Sequence, residues 1–409
     1  MNRLVLIGNG FDLAHKLPTS YQEFIDWYWD CRYHGLIDNH GNVSEDILCK
    51  LICVNKLWAG ALFFDYKLKN SYGINIYNHL KINSDEYRTE LSPLFERIMT
   101  CVETKGWVDV ENEYYEQLTK YTKEDSAKNK IDELNKQLAF LQEKLIEYLS
   151  VVNSKEISMN EEIKGKIYAP LREKDVAIGG KTAWDEHIQL GIRLDEDGWR
   201  YKLWQYGKDN ASCMSYVKSF KEKYEQGKEI SECEKDEFLL PNHIMLLNFN
   251  YTKTAELYVT RESDFTINHI HGKLDKPESV IFGYGDELDE NYKKLENLKD
   301  CDVLRNIKSI KYLEADNYRK VLDFIESEPY QILIMGHSCG NSDRTLLNTL
   351  FEHKNCVSIK PYYHQIDKEH DDYIKLVQNI SRNFKDMKLM RDRVVNKTYC
   401  EPLTNRNNN

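Results

Sequence analysis

No two cysteines in the 409-residue sequence stand at a C-x-x-C spacing, although there are ten of them. Cys49 and Cys53 are the closest pair, and one i,i+4 pair without a second does not make a structural zinc site. Reduced, mostly buried thiols are therefore expected, with no disulfide framework and no metal. No apolar run reaches the ~18 residues that a membrane span needs. Met1-Asn2-Arg3 and the short apolar run behind it lack the small-residue cleavage site of a secretory signal. The expected setting is the cytoplasm, with no membrane partner. Basic residues are in deficit, 56 Lys+Arg against 67 Asp+Glu, and a net charge of −11 excludes a general nucleic-acid-binding surface. What is abundant is aromatic: 12% of residues, with 27 Tyr, too many for a disordered chain. The length exceeds that of a single core, so two domains are expected.

Arg3-Leu4-Val5-Leu6-Ile7 is a short continuous apolar run that ends in glycine, the pattern of a strand buried on both faces. Thr19 or Ser20 then caps a helix through "YQEFIDWYWDCRYH", in which Phe24, Trp27, Tyr28 and Cys31 recur at helical spacing. Helical patterns with long polar faces dominate to about residue 240. In "KNKIDELNKQLAFLQEKLIEYL", Ile131, Leu134, Leu138, Leu141, Leu145 and Leu149 form one apolar stripe. Such a stripe faces a core or mediates a homo-oligomer.

Near residue 243 the texture changes to short apolar runs ending in polar or glycine residues: "HIMLLNFNY", "FTINHIHG", "SVIFGYG" and "YQILIMGHSCG". Helical stretches "NYRKVLDFIE" and "DRTLLNTLFEH" lie among them; "CVSIKPYY", a helix from about Asp367 to Ser381, and "KDMKLM" follow. Strands alternating with helices predict a parallel sheet. The first strand has no nearby partner and joins this later sheet. The expected architecture is α/β, a Rossmann-like parallel sheet with helices on both faces and a large helical insertion. Its discontinuous sheet domain takes residues 1–24 and 241–395, the insertion 25–240 and a polar C-terminal tail 396–409.

In open parallel sheets ligands bind beyond the carboxyl ends of the strands, and the unusual residues of this sequence cluster there. Gly8-Asn9-Gly10 follows the first strand, Asn248 and Asn250 follow "HIMLL", and His269 and His271-Gly272 follow "FTI". Gly283-Tyr284-Gly285 follows "VIF", and Gly336-His337-Ser338 follows "QILIM". The glycine loop is an incomplete dinucleotide fingerprint, because position 13 is Leu13 and no acidic residue closes a second strand about 20 residues later. It serves either as a tight strand–helix link or as a close approach to a pyrophosphate. Gly336-His337-Ser338-Cys339-Gly340 also fits the G-x-S-x-G elbow of serine hydrolases, with Asp343 and His364 as triad partners. That reading leaves the first glycine loop without a role.

The stretch "LVLIGNGFDLAHKLPTSYQEF" resembles the opening signature of the AbiH family of bacterial abortive-infection proteins, and its spacing to "GWVDVENEYY" and "GHSCGNSD" fits the same family. The likeness is concentrated in the first 25 residues, around Trp107 to Tyr115, and across 243 to 351. More distantly, the order of motifs is similar to sirtuin-like NAD-binding domains of phage-defence proteins. That second resemblance implies a set of NAD contacts: Gly8, Asn9, Gly10 and Phe11 as the glycine-rich loop with Asp12 beside it, and Leu17-Pro18 after it. It further implies Asn250-Tyr251 as the Asn segment, His271-Gly272 as the catalytic His-Gly, and Gly336, His337 and Ser338 with Asp343 as the late segment. There is no four-cysteine zinc module, which excludes deacetylase activity, and Thr252 stands where the related domains have an acid.

The function so implied is an NAD glycohydrolase in abortive defence, with NAD or a related nucleotide as partner and an unidentified phage trigger. Asn250 orients a ribose hydroxyl or the attacking water, and His271 accepts its proton. His269, two residues away, shares a face with His271 if the strand continues. Asp109, Glu111 and Glu113 read as a solvated helix face, or Glu111 contacts a ribose or polarises water. A nucleotide sensor without turnover is the alternative from another class, and the serine hydrolase the third.

Overall fold

The computed structural model of the chain describes residues 1–38, 43–54, 72–105, 109–124, 127–208, 210–259 and 264–405, so that Trp107 lies outside the described residues. The chain divides into two compact units, one of residues 1–16, 156–280 and 312–409, the other of 17–155 and 281–311.

The first unit is built on a parallel sheet. β1 (Asn2–Ile7) is its central strand, flanked by β5 (Ile244–Asn248) and β7 (Tyr330–Met335), with β6 (Thr266–His269) and β8 (Cys356–Tyr362) outermost. Leu4 pairs with Met245 on one side and with Ile332 on the other. All residues of β1, β5 and β7 are buried, which requires cover on both faces and explains their predominantly apolar sequence. The chain leaves β1 towards β5 and β6, then returns to β1's other side for β7 and β8. This is the strand order of a Rossmann-like sheet, and its switch point lies between β1 and β7.

Residues 156–240, which the sequence pattern assigns to the insertion, pack in this unit with the sheet. The reason is partly Arg3. Its guanidinium is buried within β1 and donates to Gln331 Oε1 at 2.9 Å and to the carbonyls of Ile167 (2.9 Å) and Ala169. Ile163 and Ile167 join Val5, Ile7, Leu246 and Leu333 in one core. Trp184, Trp199, Phe220 and Phe238 form another with Met1 and Val357. The expected tail is also shorter than 396–409. Residues 397–399 form a 3-10 turn, Pro402 pairs with Tyr363, Leu403 is buried, and Lys166 Nζ donates to the carbonyls of Pro402 and Leu403.

One of the later apolar runs also differs from expectation. Val280-Ile281-Phe282 forms no strand, so Gly283-Tyr284-Gly285 ends none, and it belongs to the second unit. "KDMKLM" runs into a helix, Met387–Arg393.

The second unit contains an antiparallel sheet in a region where the sequence pattern suggests mostly helices: β2 (Val43–Glu45), β3 (Cys49–Cys53) and β4 (Tyr87–Leu91). Cys49, Leu51 and Cys53 alternate into its core, so the i,i+4 cysteines are on a strand and not a helix. The helix Tyr21–Asp38 is capped by Ser20, whose hydroxyl accepts the Glu23 N–H while Glu23 accepts the Ser20 N–H. In the helix Ala127–Asn153 the six residues of the apolar stripe are buried within the chain.

Glu111 and Glu113 are buried, not solvated, and Asp109 is half-buried. Asp109 caps the helix Val110–Tyr121. Glu111 accepts the Gly283 N–H at 3.0 Å and pairs with Lys308 at 2.9 Å, Glu113 pairs with Arg97, and the rings of Tyr115 and Tyr284 stack 3.9 Å apart. A carboxylate buried this deeply needs such partners, which the surface pattern of a lone helix does not reveal.

Candidate functional site

At the switch point the loops after β1 and β7 cross in backbone contact. Gly336 has φ +74°, and a Cβ there would fall 2.1 Å from the Phe11 nitrogen. A Cβ on Gly8 would fall 2.5 Å from His337 Cα, and one on Gly10 2.8 Å from Gly336 Cα. The glycines thus allow the protein's own strands' ends to meet. Their amides are engaged as well: Gly8 N–H donates to the Met335 carbonyl, Gly10 N–H to that of Gly336 and Phe11 N–H to that of Gly8. These three donors are committed within the fold, and a pyrophosphate cradle made of them is not what the loop presents. The Phe11 side chain is core, packed against His15 and Tyr258. Asn9, by contrast, is exposed.

Beside this crossing lies a buried carboxylate. Asp12 Oδ2 accepts the Thr252 hydroxyl at 2.6 Å, whereas Oδ1 has no hydrogen-bond partner. Burial pushes the Asp12 carboxyl up to about 6, against the hydrogen bonds of Thr252, Thr254 and Asn250. Thr252, which replaces the acid expected after the Asn segment, is therefore the partner of an acid from another strand end. Asn250 donates through Nδ2 to the Gly8 carbonyl at 3.0 Å and through its backbone N–H to Asn248 Oδ1. It ties the loop after β5 to the loop after β1.

Because the folded Asp12 pKa lies above the ordinary 3.8, the folded state binds the proton more tightly than the unfolded chain. Stability from this group is therefore full below the unfolded value and lost as pH rises through about 6. Asp12→Asn, which keeps an acceptor for Thr252, is expected to raise stability at about pH 8 by up to ~3 kcal/mol and to change it little at about pH 4. Urea denaturation at the two pH values checks this; an equal gain at both would contradict it.

The two strand-end histidines separate clearly. His269 closes β6, and its Nδ1 lies 3.1 Å from Asn248 Nδ2. Its Nε2 is 3.2 Å from Glu256 Oε1. Burial and the nearby Lys273 hold its pKa down to about 4, so the ring is neutral. His271 lies beyond the strand, where Gly272 turns the chain at φ +83°, so the shared-face argument does not apply. Its Nε2 is 3.2 Å from Asp343 Oδ1 and 3.2 Å from the Tyr312 hydroxyl, and its ring is parallel to that of Tyr312 within 7°. An imidazole from beyond β6 thus meets a carboxylate from beyond β7, across the ends of β5 and β1. The pair can hold and pass a proton. Tyr251 approaches the same ring, with centroids 6.4 Å apart.

Ser338 is exposed, and Asn379 bonds its carbonyl. Asp343 faces His271 and His337 instead of His364, which is itself exposed. The elbow has no triad assembled around it. Of the remaining expected contacts, Pro18 and Glu111 belong to the second unit, where the Pro18 carbonyl accepts the Tyr148 hydroxyl at 2.6 Å. Tyr312 and Phe249 carry no signal in the sequence that marks them as site residues. Phe249 stands between the two asparagines already singled out, and Tyr312 lies 41 residues beyond His271 in a stretch without a motif.

The chain matches the family described as bacteriophage abortive infection AbiH over residues 4–364. It belongs to that family. Membership places the chain in defence against bacteriophage by abortive infection. Comparison with curated proteins and with solved structures gives no match. Nothing in these comparisons extends to the sirtuin-like domains. Among the described residues no helix is long and apolar enough to cross a membrane, and no group of three or more His, Cys, Asp or Glu is placed to hold a metal. All ten cysteines are free thiols.

Proposed function

We propose that this AbiH chain carries out abortive defence as an NAD glycohydrolase. The observation that carries the reading is the buried His271–Asp343 pair over the carboxyl ends of a Rossmann-ordered sheet. Hydrolysis breaks the bond between nicotinamide and ribose, whose electron pair leaves with the neutral nicotinamide. Water forms the new C–O bond to the cationic sugar and gives up a proton. In this reading His271 accepts that proton, and Asp343 stabilises the imidazolium that results. Asn250, fixed by its bond to the Gly8 carbonyl, orients the ribose hydroxyl or the water. Ser338 is a ribose or adenine contact, not a nucleophile.

The test is the NAD pool of infected cells together with nicotinamide released by the purified protein. NAD is expected to collapse on infection in cells carrying the wild-type chain. An unchanged pool in a culture that is nevertheless protected would overturn the reading, and binding without release would favour a sensor. Ser338→Ala is expected to raise KM by a few fold and leave kcat largely intact. Loss of kcat by several orders of magnitude would restore the elbow reading.

A further inference from the structure

Asp343 is shared between two imidazoles. Its Oδ1 lies 3.2 Å from His271 Nε2 and its Oδ2 3.6 Å from His337 Nε2, and all three side chains are buried. The His337 ring has only one neutral form open to it. The Cys339 N–H donates to His337 Nδ1 at 3.0 Å, so Nδ1 is an acceptor and the proton sits on Nε2, the atom that faces Asp343. The Cys339 amide is itself fixed. Its residue is buried at φ +53°, and Asn383 Nδ2 donates to its carbonyl at 2.9 Å. Phe249 fills the space between the two imidazoles, its centroid 5.3 Å from that of His271 and 4.1 Å from that of His337.

We propose that His337 is a positioning residue: its Nε2–H steers one oxygen of Asp343, so that the other receives the Nε2–H of His271 and the His271 lone pair is left on Nδ1. This rests on the reading of His271 as the general base. A separation of 3.6 Å is longer than a direct hydrogen bond, so His337 acts as an oriented N–H dipole on a carboxylate sheltered from water, where such fields are strong. Once His271 Nε2 donates, the Tyr312 oxygen is a second acceptor for the same proton. Asp343 and Tyr312 together then favour one tautomer.

The experiment is nitrogen NMR of the full chain labelled with ¹⁵N-histidine, which reads the tautomer of each imidazole, combined with nicotinamide-release kinetics. In the wild type both His337 and His271 are expected to carry their proton on Nε2. In His337→Ala the His271 signal should become a mixture of tautomers, and kcat should fall about 10-fold with KM unchanged. His337→Gln, whose amide N–H reaches the position of imidazole Nε2, should restore both. A wild-type His337 protonated on Nδ1 overturns the proposal, and so does an unaltered His271 tautomer in folded His337→Ala. If the tautomer responds as stated while the wild type releases no nicotinamide, the positioning role stands and the glycohydrolase reading alone fails.

Discussion

Alanine at position 271 is expected to slow nicotinamide release by about 10²–10⁴-fold, the usual contribution of a positioned general base. The same change should abolish protection against phage. The loss should fall on kcat, because in the proposed hydrolysis the pair acts on the proton that moves as the C–O bond forms and not on the bound nucleotide. Asp343→Asn separates charge from shape. The carboxylate only accepts, and so it holds His271 with the proton on Nε2. An amide offers N–H to the same nitrogen and favours the opposite tautomer, whose lone pair points at residue 343 and not at substrate. It should therefore cost nearly as much as His271→Ala while leaving NAD affinity in place. His269→Ala is the control, since that ring is bound to Asn248. If His271→Ala turns over at the wild-type rate in a folded protein, the base is elsewhere.

Gly336→Ala is expected to lower stability by about 2–5 kcal/mol, combining ~1–2 for a left-handed residue with ~1–3 for overlap in a packed site. The added Cβ would stand 2.1 Å from the Phe11 nitrogen and 2.5 Å from the Gly10 carbonyl carbon. Both are backbone atoms of the facing loop, so no side chain can move aside. Gly10→Val meets the same obstacle and should unfold the crossing, not merely block a ligand. Gly207 supplies the comparison, because it has φ +66° and a Cβ added there would meet nothing within 4 Å. Gly207→Ala should cost only the conformational part, about 1–2 kcal/mol. Urea denaturation of the two alanine variants measures the difference. Equal losses would show that the loops part easily.

Much of the sheet was legible because parallel strands buried on both faces have no choice but to be apolar, and β1, β5 and β7 announce themselves so. Gly8, Asn250, His271 and Gly336 were found for a related reason: chain reversals at strand ends demand unusual residue types. Their partners were not legible. Tyr312 reaches His271 from 41 residues away, and Asp12 meets Thr252 across 240 residues; neither spacing leaves a local pattern. The glycine loop was legible as glycine but not in its purpose, since a close approach by phosphate and a close approach by backbone require the same missing side chain. β2 is only three residues long and β4 carries Arg88 and Glu90 on its outward side, so amphipathic helices on either side masked that sheet. The division near residue 156 turns on a buried arginine in the first strand, whose partners cannot be read from the run that contains it.

The central position of β1 also governs when the chain can fold. Both neighbours of Leu4, Met245 and Ile332, are encoded hundreds of residues later. At roughly 5–20 residues per second of synthesis, β1 waits on the order of 15–65 s before β7 leaves the ribosome. Until β5 emerges the apolar run Leu4–Ile7 has neither edge paired, and until β7 emerges one edge stays open, the condition in which chains aggregate or engage chaperones. The same delay means that His271 has no Asp343, and the glycine crossing no second loop, until residues 336–343 have been made. A message interrupted before that point therefore yields a chain in which the His271–Asp343 pair has never been assembled.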